Sequence, residues 1–186
     1  MSDEGVIYHC PNAHIAWLAC LSFVLNKIRR EGLMSIEGDV ECPEEAASIF
    51  QLFPQTVAHP YIDFATDVLR LMLGCNLNAD QHRVYADHYI AGLVAKSSVF
   101  TGAGVDESLL RTIWLTLWAT LNGNAPLTAC EFGRQAMPLK IKPSFAELET
   151  TLRDVNTKWR RRKGKNSEGG EGGLNAEVDN FIASLG

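Results

Sequence analysis

The chain has 186 residues, 46% of them apolar, and a formal charge of −5. That is one domain's length with enough apolar side chain for a core, and the acidic balance argues against a nucleic-acid binder. The five cysteines, Cys10, Cys20, Cys42, Cys75 and Cys130, form no C-x-x-C pair, which fits a reducing compartment where cysteine serves as a small apolar residue.

The first residues, Met1-Ser2-Asp3-Glu4, are acidic where a signal peptide needs a basic start, so no signal peptide is expected. Gly5 to Asn26 carries no formal charge, but its apolar part, Ala13 to Leu25, falls short of the roughly 20 residues that cross a bilayer. Thr112 to Cys130 is also uncharged and is broken by Asn122-Gly123-Asn124-Ala125-Pro126. Both stretches are expected to be buried helices.

Helical spacing dominates, and no segment alternates with period two. Asn12 caps a first helix carrying Ile15, Leu18, Leu21, Leu25 and Ile28, with Lys27, Arg29 and Arg30 at its end and Gly32 as a stop. Met34 to Glu41 reads as a link. Pro43-Glu44-Glu45 reads as a helix start, with Phe53-Pro54 as its end. Pro60 opens a helix with Ile62, Ala65, Leu69 and Met72 on one face and Gly74 as a stop. Asn78 and Gln81 form a box-like start for a helix through about Ala95, and Ser97 to Gly104 reads as a loop. Asp106 caps an apolar helix bearing Trp114 and Trp118. Pro126 starts the next helix, which Pro138 closes. Ser144 and Glu147 form a capping box ahead of Leu148, Leu152, Val155 and Trp159.

The expected fold is all-α, a compact bundle of about seven short helices with a flexible C-terminal tail. Three parts are expected: a helical domain over 1–159, a basic and Gly-rich linker over 160–175, and a short amphipathic helix over 176–186. In that last part Val178, Phe181, Ile182 and Leu185 follow helical spacing, as in a docking peptide or a strut on the chain's own domain. Trp114 and Trp118, one turn apart, read either as core or as a partner face. Arg160 to Lys165 reads first as a solvated cluster.

Little in the chain points to catalysis or cofactors. Cys10 and His14 have i,i+4 spacing with Pro11 between them, which does not make a four-ligand zinc site. His82 and His88 share a polar helix with Asp80 and Asp87 and read as a solvated face. Phosphate-loop, dinucleotide and nucleophile-elbow motifs are missing from the sequence. Neither an enzyme nor a metal or cofactor is expected.

Several ordered strings resemble one family. Glu31-Gly32-Leu33-Met34-Ser35-Ile36-Glu37, then Val40-Glu41-Cys42-Pro43-Glu44-Glu45, is similar to the segment after the second membrane helix of the flagellar stator family of MotA. Phe64 to Met72 with Asn76-Leu77-Asn78 resembles the next helix pair. Leu121 to Pro126, Glu131-Phe132-Gly133-Arg134 and Pro143 to Glu149 resemble the segment after the fourth membrane helix. The match runs from about Leu18 to Trp159, and membrane helices are missing from it.

The resemblance implies a cytoplasmic helical fold, with peripheral contact at the inner membrane and protein partners in a multiprotein complex. In the family a basic residue in the first cytoplasmic turn meets charges on the rotor protein FliG. Gly38 stands in that place here, and Glu44 or Glu45 matches the acidic counterpart. The expected partner-binding residues are Glu44, Glu45, Trp114, Trp118, Val178, Phe181, Ile182 and Leu185. The expected role is a soluble adaptor docked on an envelope-spanning machine for secretion, conjugation or motility. A flagellar regulator that binds FliG is the second reading.

Overall fold

The computed structural model describes residue 10 and residues 12–75, 77–100 and 105–168, with residues 97–100 and 158–168 described through their backbone alone. Seven α-helices make up the described fold: α1 (Ala13–Glu31), α2 (Glu37–Glu41), α3 (Tyr61–Gly74), α4 (Ala79–Phe100), α5 (Glu107–Leu121), α6 (Pro126–Gln135) and α7 (Phe145–Glu168). Short 3-10 turns at Leu33–Ile36, Ile49–Leu52 and Pro54–Thr56 fill the route from α1 to α3. No strand occurs among the described residues.

Helix α1 is the axis of the bundle. Every residue from His14 to Leu25 is buried, because α5, α6, α7 and the 3-10 turns pack around it. A helix apolar on all sides is stable in water only when surrounded in this way. Asn12 caps it, accepting the Ile15 N–H at 3.0 Å, and Gly32 ends it at φ 89°, a conformation that favours glycine.

Helices α5 and α6 form a tight hairpin against α1. The close approach is made at Gly133, where an added Cβ would overlap the Thr116 hydroxyl and lie 2.7 Å from the Thr112 carbonyl oxygen. Asp106 caps α5 by accepting the Ser108 and Leu109 N–H groups. Both capping boxes form: Asn78 with Gln81, and Ser144 with Glu147. Helix α7 lies along α1, its Asn156 amide donating to Ser22 Oγ at 2.9 Å.

Three boundaries differ from the sequence expectation. Helix α2 falls in the stretch read as a link, while Pro43 to Ser48 forms turns where a helix start was read. The deciding side chain is Asp39, whose two oxygens take the Lys27 ammonium and the Ile49 N–H. Helix α4 runs on to Phe100, into the stretch read as a loop. Helix α7 continues to Glu168, so Arg160 to Lys165 lie on a helix where a linker was expected. Residues 169–186, with Val178, Phe181, Ile182 and Leu185, lie outside the described residues.

Candidate interaction surfaces

The turn after α2 carries the acidic candidates. Asp39, 7% exposed, accepts from Lys27 Nζ at 2.7 Å and from the Ile49 N–H at 2.8 Å. Gln51 donates to the Pro43 carbonyl at 2.7 Å. Arg70 of α3 donates to Glu41, to Asp67 and to the Val40 carbonyl. Both ends of the turn are thereby fixed to α1 and α3, and its tip, Glu44 to Ala47, stands exposed.

Neither Glu44 nor Glu45 makes an ion pair among the described residues. The Cys42 thiol is pushed up, by desolvation first and then by the charges of Glu45 and Glu44. Gly38 is exposed on α2, and an added Cβ there would meet nothing within 4 Å. The turn is a fixed, negatively charged projection with open space beside it.

The two tryptophans part company. Trp114 is 3% exposed and belongs to the core, so it offers no partner face, in correction of the surface reading. The physical reason is that α4, α3 and α1 all pack on α5 and cover that side of it. Trp118 is partly exposed, meets Phe132 edge-on with centroids 6.1 Å apart, and has no hydrogen-bond partner for its indole N–H among the described residues.

From Phe132 of that pair to the first residue of α7, four apolar side chains are left in water, three of them within the seven residues from Leu139 to Phe145. Phe132, Leu139, Ile141 and Phe145 are all exposed, Leu139 at 87% and Phe145 at 50%. The signal was available: Leu139 and Ile141 sit between Pro138 and Pro143, outside any helical register that could bury them. The segment is ordered by polar bonds. Arg134, held by both oxygens of Glu131, donates to the Pro143 carbonyl at 2.7 Å, and Lys142 donates to the Gln135 carbonyl at 2.9 Å. The Glu131 carboxyl is held below its usual range chiefly by its hydrogen bond from Arg134.

Two of the described histidines, His14 and His82, are buried. His82 is 1% exposed and donates Nδ1–H to the Asn78 carbonyl at 3.0 Å, in correction of the solvated-face reading, whereas His88 is exposed as expected. His14 is buried where α1 and α5 begin, 2.9 Å from Ser108 Oγ and 3.7 Å from Asp106. Desolvation lowers its pKa, against the opposing pull of Asp106. No three residues of His, Cys, Asp or Glu are grouped to hold a metal among the described residues. Cys20 and Cys130 are buried, and burial pushes the Cys130 thiol up to about 12. A cleft of about 290 Å³ between α1 and the α5–α6 turn is lined by Leu25, Ile28, Arg29, Asn124 and Pro126.

These observations describe an all-α module that displays a fixed acidic turn and an ordered apolar patch, with no described helix long and apolar enough to cross a membrane. The chain is MotA-like. It is 25% identical to motility protein A of Salmonella typhimurium over 206 residues, which covers 74% of this chain and 70% of that relative. Identity to motility protein A of Escherichia coli K12 is 24% with the same coverage. No family model matches the chain, and no solved structure matches it.

Proposed function

We propose that this chain is a non-catalytic adaptor: a stator-like helical module that docks, through its surfaces, onto a larger envelope-spanning machine for motility, secretion or conjugation. The observation that carries this reading is the form of the likeness to motility protein A. The match spans 206 residues yet takes only 74% of 186, about 138 residues, so about 68 positions of the relatives have no counterpart. That length suits two membrane helices of roughly 20 residues with their connections. What is retained is the part that meets other proteins, and in this role the module sits at the inner membrane peripherally. The test is affinity capture of the full chain from its native cells, with partners identified by mass spectrometry. Enrichment of envelope-machine components supports the adaptor; an empty capture refutes it.

A second reading is favoured by one observation. Glu44 and Glu45 stand exposed and without an ion pair among the described residues, on a turn fixed from both ends, where an acidic residue in the family meets the rotor protein FliG. In this reading the chain regulates a flagellar motor by occupying FliG. Purified FliG would bind at low salt, and Glu44→Lys with Glu45→Lys would weaken binding, as would raised ionic strength. No binding at low salt removes this reading and leaves the adaptor standing.

A further inference from the structure

The patch of Phe132, Leu139, Ile141 and Phe145 has the properties of a preformed docking site. Its apolar side chains are exposed, and Lys140 and Lys142 alternate with them. The Arg134–Pro143 and Lys142–Gln135 bonds and the Ser144–Glu147 capping box hold the backbone beneath it. Little ordering entropy is therefore left to lose when something binds there.

The C-terminal sequence has the complementary chemistry. Val178, Phe181, Ile182 and Leu185 are spaced to share one helical stripe. Residues 175–186 contain two acids, Glu177 and Asp179, and no Lys or Arg. An apolar stripe flanked by carboxylates matches an apolar patch flanked by ammonium groups, the pattern of helix-in-groove recognition.

The geometry decides between the chain's own patch and another's. Phe145 is the first residue of α7, and α7 runs 24 residues to Glu168, about 36 Å at 1.5 Å per residue. The patch thus lies at one end of α7 and the tail leaves from the other. Ten residues lead from Glu168 to Val178 and reach at most about 36 Å when fully extended. The chain's own patch would demand a spacer at full stretch, whereas the patch of a second molecule makes no such demand.

We propose that residues 176–186 of one molecule dock on the Phe132–Leu139–Ile141–Phe145 patch of a second copy, and that reciprocal exchange closes a two-fold dimer. The test uses the purified full chain, so it needs no envelope partner and its outcome is separate from that of the adaptor reading. Sedimentation velocity over a concentration series is expected to show a monomer–dimer equilibrium. Phe181→Asp with Ile182→Asp in the tail should raise the dissociation constant at least about tenfold, and so should Leu139→Asp in the patch. Leu139 is exposed, and circular dichroism checks that each variant is folded. Mixing the tail variant with the patch variant leaves one intact tail–patch contact per pair and should restore part of the association. A monomer throughout the concentration range overturns the proposal. So does a dimer that either set of substitutions leaves unchanged, or a mixture that associates no better than its components.

Discussion

Replacing Gly133 by alanine sets two effects against each other inside one helix. Alanine is the better helix former by about 0.8–1.0 kcal/mol. At this position, however, the new methyl would overlap the Thr116 hydroxyl, lie 2.7 Å from the Thr112 carbonyl oxygen and 2.8 Å from Leu18 Cδ2. Thr116 already donates to that same carbonyl at 2.9 Å, so moving its hydroxyl aside breaks a buried bond, and the carbonyl is helix backbone that cannot turn away. Overpacking of this kind costs roughly 1–3 kcal/mol, with about 1 kcal/mol more for the lost bond. The packing terms win, leaving a net loss of about 1–3 kcal/mol, or roughly 2–12 °C in melting temperature for a chain of this size.

Gly92 supplies the matched control, since it is exposed within α4 and a Cβ there meets nothing within 4 Å. Gly92→Ala should gain up to about 1 kcal/mol from propensity alone. Thermal and urea denaturation followed by circular dichroism would compare the pair. If Gly133→Ala is as stable as the wild type or more so, the close packing of α5 on α6 is wrong. Equal effects at both glycines would mean that propensity, not packing, governs them.

Asp39→Ala leaves the Ile49 N–H without its acceptor and Lys27 without its partner. Because Lys27 is partly exposed and can turn to water, the expected loss is about 2–4 kcal/mol in urea unfolding, below that of a fully buried pair. The pH dependence follows from His14, whose folded pKa lies below its ordinary value of 6.5. The unfolded chain then takes up the proton first, so stability falls as pH drops below about 6.5 toward the folded value. His14→Gln should flatten the stability difference between neutral and mildly acidic pH, measured against the wild type under the same conditions. Gly38→Arg should be accommodated without strain, since nothing crowds the position, and should raise the affinity for purified FliG at low salt; unchanged affinity would show that position 38 takes no part in such a contact.

The helix starts were legible because they are local chemistry. Asn12, Asp106 and the Ser144–Glu147 box each bond the first turn of the helix they begin, and a few residues suffice to specify that geometry. The buried character of α1 was legible for the same reason, an uncharged stretch too short for a membrane. The route between α1 and α3 was not. Pro43-Glu44-Glu45 has the composition of a helix start, but Asp39 folds back to Lys27 and Ile49, and this tertiary bond shifts the helix forward to Glu37.

The tryptophans show where periodicity stops helping. Trp114 and Trp118 share a stripe one turn apart, yet what covers each depends on where α4 and α6 lie, which spacing alone does not carry. His82 is a similar case: on a helix of polar composition it is turned inward, while His88 faces water. The apolar patch escaped notice because Leu139 and Ile141 belong to no helix, and a pass that follows helical spacing does not register them.

The junction between α4 and α5 has an architectural consequence. Helix α4 ends at Phe100 and α5 begins at Glu107, and the two pack against each other. The Arg111–Asp87 ion pair is one of the contacts that hold the two helices together. A self-contained hairpin could be spliced in or out there while the α5 cap and the pairing of the two helices persist.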